Sequence, residues 1–179
     1  MKVVTYITPQ YEEEVKRLVK SCEDNNQKLI IDRVKCEGSW EKNTGQKAAV
    51  VFRHLCLNEP FIITDADSEI VKPIDESVFA GCDIAVRYKG GKEMLSSTMF
   101  FRPTKAVFAL VANWAWRIPQ EYHVFEQLHL QNAIKSLDFK VGVMPDRYCA
   151  IFDEKPHIED PVIRHHQASR RLRHTIGKS

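Results

Sequence analysis

The chain has 179 residues, of which 44% are hydrophobic and 28% charged, with a formal net charge of +2 at pH 7. This composition excludes a disordered or low-complexity protein, and the length allows one domain with a buried core. No apolar run approaches a membrane span, and the first residues lack a signal-peptide-like stretch, which predicts a cytoplasmic location. The five cysteines have no CxxC spacing, which argues against a disulfide framework or a zinc site.

The positive charge is concentrated in a basic tail, residues 164–179. The tail contains five Lys or Arg residues and no carboxylate, and since the whole chain carries +2, the preceding residues sum to −3. Such a tail suits a diphosphate, a nucleic acid or an anionic membrane surface. The alternative is a solvated end that contributes only solubility.

The N-terminal part predicts a βαβ unit. Residues 3–7 are a strand-like run, and Thr8 and Pro9 follow as the expected cap and first residue of a helix. Apolar residues with helical spacing begin at Val15, and residues 29–34 read as a second strand. Strand, helix and strand in this order imply a parallel sheet with a right-handed crossover.

A polar segment and a helix come next. Residues 35–45 predict a loop, in which Trp40 either stacks on a nucleobase or covers the core. Lys47 lies in the first turn of the following helix, on its polar side, where a cation opposes the helix dipole. A bound anion would remove this conflict, and a solvated lysine is the alternative. The apolar face of this helix is Ala48, Val51, Phe52 and Leu55.

A short apolar strand at residues 61–64 ends at two carboxylates, Asp65 and Asp67. Residues i and i+2 of an extended chain point to the same face, so both carboxylates would project from the carboxyl end of this strand. Ligands of open α/β sheets bind at that end, and clustered carboxylates suit Mg²⁺ or Mn²⁺. From these residues alone, a strand-ending turn without a metal is an equal alternative.

The second half begins with two predicted strands, residues 83–88 and 98–101, joined by a loop that contains Gly90 and Gly91. A helix over residues 104–116 is apolar nearly all round, which predicts burial on two sides.

The last part predicts a helix over residues 122–137, which contains Glu126 and Gln127, and late strands at 139–144 and 151–152. The segment 162–166 resembles a strand that ends in His165 and His166. Imidazole is an acceptable ligand for Mn²⁺, and a surface position is the alternative.

The order of these parts resembles that of the GT-A type nucleotide-sugar glycosyltransferases, a family with a DxD motif. The resemblance is carried by the βαβ half, the lysine in the helix before the apolar strand, and the DxD motif Asp65-Ala66-Asp67. It continues with the Ser-rich strand that starts at Ser96, the pair Glu126-Gln127 and the pair His165-His166. It covers most of the chain.

The resemblance implies an α/β, Rossmann-like GT-A fold, with a mixed, mostly parallel sheet flanked by helices in one domain over residues 1–179. This domain would comprise a nucleotide-binding half (1–72), a donor-sugar and acceptor half (73–163) and the basic tail. The chain is shorter than most members of the family, which implies an abbreviated acceptor half.

The activity that the resemblance implies is transfer of a sugar from a UDP- or GDP-sugar to an acceptor hydroxyl, with Mn²⁺ or Mg²⁺. The acceptor, whether glycan, lipid-linked, protein or nucleic acid, stays open, as does retention or inversion of the anomeric configuration. The implied metal ligands are Asp65, Asp67 and one of His165 and His166. Glu126 and Gln127 would be the catalytic pair, with Glu126 the better general base. The implied contacts to the nucleotide donor are Thr8, Pro9, Tyr11, Arg33, Lys47, Asp65, Ser97 and Arg164.

Three other functions compete with this interpretation. A phosphatase or phosphotransferase with a nucleophilic Asp would also end a strand in DxD, but normally the first strand, and it needs a later acidic cluster. A sugar nucleotidyltransferase needs a Gly-rich loop after the first strand, where this chain has no glycine. A nucleic-acid-binding domain would use the basic tail, which lacks interleaved aromatic residues.

Overall fold

The computed structural model describes residues 1–121, 123–136 and 140–176. The strands are β1 (Lys2–Ile7), β2 (Leu29–Arg33), β3 (Phe61–Thr64), β4 (Ser68–Ile70), β5 (Ile84–Lys89), β6 (Glu93–Phe101), β7 (Val141–Val143), β8 (Ala150–Ile151) and β9 (Ile163–His165). The helices are α1 (Val15–Asp24), α2 (Trp40–Gly45), α3 (Lys47–Leu55), α4 (Lys105–Arg117), α5 (Glu126–Lys135) and α6 (Ser169–Leu172).

Six strands form the main sheet in the order β2-β1-β3-β6-β5-β7. Strand β1 pairs in parallel with β2 and β3, and β6 runs opposite to the other five strands. The predicted class, a mixed and mostly parallel α/β sheet flanked by helices, is therefore confirmed. Strands β4, β9 and β8 form a second, smaller sheet, and residues 65–67 link β3 of the main sheet to β4 of the small one.

Hydrophobic side chains cover both faces of the main sheet, which explains why β3 is an uninterrupted apolar run. On one face Ile63 belongs to a cluster that includes Leu110 and Trp114 of α4. On the other face Ile62 belongs to a cluster with Leu18 of α1 and the aromatic ring of Tyr148. Neighbouring residues of a strand point to opposite faces, so β3 anchors both halves of the core.

Two predictions about helix faces need correction. In α3 the predicted apolar residues Ala48, Val51 and Leu55 are buried. Phe52 is however 40% exposed, and Lys47 and His54 of the predicted polar side are buried. Helix α4 buries one face only, and its Trp116 is 67% exposed. The physical reason is that α4 packs against α3 and α5 on one side of the sheet, and its outer side faces solvent.

The segment between β2 and α3 is not the predicted loop throughout. Helix α2 begins at Trp40, and the Ser39 side chain caps it by accepting a hydrogen bond from the Lys42 N–H at 3.3 Å.

Thr8, by contrast, makes no side-chain cap bond. A single 3₁₀ turn over Pro9–Tyr11 follows it, and α1 starts only at Val15.

The late elements are shorter than predicted. Of the predicted helix 122–137, residues 122 and 137 lie outside the described part, and α5 begins at Glu126. Residue 139 of the predicted strand 139–144 also lies outside it, and β7 covers Val141–Val143.

Strand β6 is longer than predicted. It begins at Glu93 rather than at residue 98, because its pairing with β5 extends to the hairpin turn.

Candidate metal and ligand site

The link between the two sheets carries the DxD motif. The Asp65 N–H donates to the Ser97 carbonyl at 2.9 Å, and the Ser68 N–H donates to the Asp65 carbonyl at 3.1 Å. The strand therefore ends in a turn, as the alternative interpretation held. This turn uses backbone groups, so the carboxylates of Asp65 and Asp67 remain available for other contacts.

Asp65, Asp67 and His165 converge at this junction. Each offers one ligand atom, and the three atoms lie within 4.8 Å of one another. The cause is strand pairing, because β9 runs antiparallel to β4 with His165 opposite Ser68. The structure places His166 outside this group, where its Nε2 contacts Glu69 Oε2 at 3.1 Å.

The electrostatics of the group favour a neutral imidazole and make Asp67 harder to ionise. Burial, together with the neighbouring charge of Asp65, raises the pKa of Asp67 to about 6, although the Ala168 N–H donates to its carboxylate at 2.5 Å. Burial, and then the charge of Lys47, lowers the pKa of His165 to about 3. The ring of His165 is fully buried, and its Nδ1 has no hydrogen-bond partner in the described part of the chain.

Lys47 reaches the same junction from α3. Its side chain is 4% exposed, and Nζ lies 2.9 Å from Asp65 Oδ1, 3.4 Å from Glu126 Oε1 and 3.1 Å from the Ser96 carbonyl. The solvated lysine is therefore excluded. Burial alone would lower the pKa of Lys47, but the two carboxylates outweigh it and raise this pKa, so the ammonium is charged.

The first two residues of α5 face the middle of β6. Glu126 Oε1 accepts from the Ser96 hydroxyl at 2.7 Å, and Gln127 Oε1 accepts from the Ser96 N–H at 3.2 Å. The Trp114 indole N–H donates to the Glu126 carbonyl at 2.8 Å, which fixes the start of α5 against α4. Lys47, Asp65 and Glu126 thus form one charged network, in which only Asp65 is partly exposed.

A cavity of about 450 Å³ opens over this network. The predicted site residues that line it are Thr8, Tyr11, Lys47, Asp65, Asp67, Ser97, Glu126 and Gln127. The other predicted nucleotide contacts, Pro9, Arg33 and Arg164, are not part of its lining. Arg33 pairs with Glu12 at 2.9 Å, and Arg164 pairs with Glu69 at 3.4 Å.

Aromatic rings border the cavity on the side of α2. Trp40 and Phe125 are in edge-to-face contact, with ring centroids 5.5 Å apart and an interplanar angle of 76°. Both line the cavity, and Phe125 is 53% exposed. Phe125 was not anticipated, because nothing in its sequence neighbourhood distinguishes it from a core residue.

The basic tail folds back on the chain. Arg170 pairs with Asp153 at 2.5 Å, and Arg171 pairs with Glu14 at 2.6 Å. Arg170 and Arg173 line the cavity, whereas Arg171 does not. Part of the tail charge is therefore neutralised within the protein, which weakens the nucleic-acid alternative.

Together these features define an α/β protein with a cavity at the carboxyl end of strand β3, lined by four acidic and four basic side chains. The chain is similar to solved structures, of which two are described here. One is a glycosyltransferase involved in glycosylation of the major capsid of PBCV-1, with a TM-score of 0.71, 14% identity and 93% of each chain covered. The other is the galactosyltransferase LgtC in complex with donor and acceptor sugar analogues, with a TM-score of 0.61, 9% identity, and 93% of this chain and 87% of that one covered.

At these identities the likeness shows a shared fold. No family model and no curated protein matches the sequence. In residues 1–121, 123–136 and 140–176, no helix is long and apolar enough to span a bilayer.

Proposed function

We propose that this chain is a metal-dependent glycosyltransferase that transfers a sugar from a UDP- or GDP-sugar to an acceptor hydroxyl. The observation that carries the proposal is the convergence of Asp65, Asp67 and His165 within 4.8 Å beside a cavity of about 450 Å³. The fold shared with two glycosyltransferases supports it. The cavity is within the range of small-ligand sites, about 300–1,000 Å³.

The donor set fits Mn²⁺ or Mg²⁺. Two carboxylates supply hard oxygen ligands, and a buried imidazole supplies a borderline nitrogen ligand, which suits Mn²⁺ in particular; its Nδ1 has no hydrogen-bond partner in the part of the chain that the structure describes. A bound divalent cation would act as a Lewis acid on the charge that develops on the departing nucleoside diphosphate. His166 bonds Glu69, and we propose His165 as the ligand of the pair.

The nucleoside would bind at the end of β1. Tyr11 and Trp40 give aromatic surface there, and the Thr8 hydroxyl is buried without a hydrogen-bond partner among the described groups. An unsatisfied buried hydroxyl is costly, and a polar group of the nucleoside or a bound water would satisfy it. Arg173, an exposed cation of the cavity lining, is placed to meet the diphosphate.

The transferred sugar would lie between Ser97 and Gln127. The Gln127 side-chain oxygen already accepts from the Ser96 N–H, which leaves its amide N–H groups to donate to a ligand. Glu126 is held by Lys47 and the Ser96 hydroxyl. We therefore propose that Glu126 orients these two groups and that Gln127 touches the sugar.

Calorimetric binding of UDP and of GDP, each with and without Mn²⁺, tests the proposal. We expect one nucleotide to bind the wild type only with Mn²⁺, and this binding to be lost in Asp67→Asn, which keeps the size of the side chain. Asp24→Asn is the matched control, because this carboxylate is exposed and pairs only with Lys20 in the described contacts. It should bind as the wild type does.

Absence of nucleotide binding under every condition would overturn the proposal. Hydrolysis of a phosphate monoester and binding of single-stranded RNA would then test the phosphatase and the nucleic-acid-binding alternatives.

A further inference from the structure

Four buried polar side chains join the two sheets beside the DxD link. Thr64 and Thr98 are partners across β3 and β6 of the main sheet. Ser68 and His165 are partners across β4 and β9 of the small sheet. Each is at most 1% exposed. Hydroxyl contacts connect the two pairs, with 3.1 Å between Thr64 Oγ1 and Ser68 Oγ and 2.7 Å between Thr98 Oγ1 and His165 Nε2.

The protons of this chain of contacts can be assigned, because a hydroxyl has one hydrogen to donate. The heavy-atom angles of their contact make Thr64 the donor to Ser68. In the 3.1 Å contact between Thr64 and Thr98 the donor must therefore be Thr98. Thr98 then has no hydrogen left for His165, so Nε2–H is the donor in that contact. A neutral imidazole carries one N–H, and Nδ1 is left as a bare lone pair.

We propose that Thr98, held in turn by Thr64 and Ser68, is a positioning residue that fixes the Nε2–H tautomer of His165. Nδ1 is then the nitrogen available to a divalent cation bound with Asp65 and Asp67. The inference rests on the proposed metal site. Its independent support is that Nδ1 is buried and has no hydrogen-bond partner among the described groups. Partners that fix the second nitrogen of a metal-binding histidine commonly change metal affinity about 10–100-fold.

The test uses three substitutions in the full chain. Thr98→Val removes the hydroxyl at nearly constant volume, and Thr98→Ser keeps it. Thr5→Val is the matched control, because Thr5 is fully buried in β1 of the same sheet and its hydroxyl has no hydrogen-bond partner among the described groups. Thr5→Val therefore makes the same Thr-to-Val change without removing a hydrogen bond among the described groups.

The first measurement needs no metal. The ¹⁵N shifts of His165, assigned by the signal lost in His165→Gln, report its tautomer directly. We expect Nε2–H in the wild type, Thr98→Ser and Thr5→Val, and a shift toward Nδ1–H in Thr98→Val. Nδ1–H in the wild type would overturn the proposal.

The second measurement is Mn²⁺ affinity in the presence of UDP, from the electron paramagnetic resonance signal of free Mn²⁺. We expect Thr98→Val to bind about 10–100-fold more weakly, with Thr98→Ser and Thr5→Val close to the wild type. Wild-type affinity in a folded Thr98→Val variant would overturn the positioning role. Failure of the wild type to bind Mn²⁺ would instead contradict the proposed function. The tautomer measurement would still show whether Thr98 positions His165.

Discussion

Two buried cations, Arg87 and Lys47, each lie between two carboxylates, with side chains 3% and 4% exposed. Arg87 makes two 2.7 Å bonds to Glu154, one of 2.8 Å to Asp146 and one of 2.7 Å to the Cys149 carbonyl. The fork of its guanidinium is thus matched by fixed acceptors. This cluster ties β5 to the segment that follows β7.

The Lys47 cluster has similar charges but different surroundings. Its partner Asp65 is 37% exposed and lines the cavity, and Asp67 and His165 each offer a further ligand atom within 4.8 Å. The neighbours of Lys47 therefore keep oxygen and nitrogen atoms that could bind a ligand. The guanidinium of Arg87, in contrast, is bonded to acceptors of the protein. A buried ion pair is thus a candidate functional site when a cavity and unsatisfied ligand atoms lie beside it, as at Lys47 but not at Arg87.

The largest effect is expected from removing the cation of the Arg87 cluster. Arg87→Met leaves the Glu154 carboxylate, 6% exposed, without its cation, so the free energy of unfolding should fall by about 3–5 kcal/mol. Urea denaturation measures this loss. Mn²⁺-dependent nucleotide binding by the folded fraction should stay as in the wild type.

Two further variants sharpen this result. The double variant Arg87→Met with Glu154→Leu removes both charges and should recover much of the stability. Lys16→Met removes the exposed partner of Glu13 and should change stability by less than about 1 kcal/mol. A loss in Arg87→Met as small as that in Lys16→Met would contradict the role assigned to the Arg87 cluster.

The sequence predicts the parts of the site that depend on local order. Asp65 and Asp67 are two residues apart at the end of an apolar run, so the sequence alone brings them close, although a turn and not an extended strand holds them. Lys47 stands out because it opposes its helix dipole. Its partner Glu126 is 79 residues away, and no local pattern predicts which helix will deliver it.

The choice between His165 and His166 depended on a strand too short to predict. Strand β4 has three residues, and its pairing with β9 turns His165 inward opposite Ser68. Alternation along β9 then places the neighbouring His166 against Glu69. The partners of Arg33 and Arg164 were equally unpredictable, because a surface arginine carries no local sign of which carboxylate it will meet.

An intermediate effect is expected from pH, which acts on Asp67 beside the Lys47 cluster. The folded-state pKa of Asp67, about 6, lies above the ordinary value of 3.8, so without metal its contribution to stability is present below about pH 4 and lost as pH rises through about 6. Bound Mn²⁺ requires the ionised carboxylate, so affinity should fall as pH drops through 6, about tenfold between pH 7.5 and 5. His165 stays neutral over this range.

The increase in melting temperature caused by Mn²⁺ at several pH values measures this dependence. Asp67→Asn should show no such increase at any pH, and at pH 7.5 without metal it should be at least as stable as the wild type. A metal-induced increase that grows as the solution becomes more acidic would contradict the assignment to Asp67.

The smallest effect is expected at the rim of the cavity. Arg173 is exposed and lines the cavity, so Arg173→Met should weaken Mn²⁺-dependent nucleoside diphosphate binding by about 2–5-fold, as expected for one screened charge contact. Arg171→Met removes the same charge from the same tail, but Arg171 pairs with Glu14 and does not line the cavity. Calorimetry at low salt should detect the loss in the first variant only. Equal weakening in both would mean that the tail acts through its net charge, because only a direct contact distinguishes two arginines that are two residues apart.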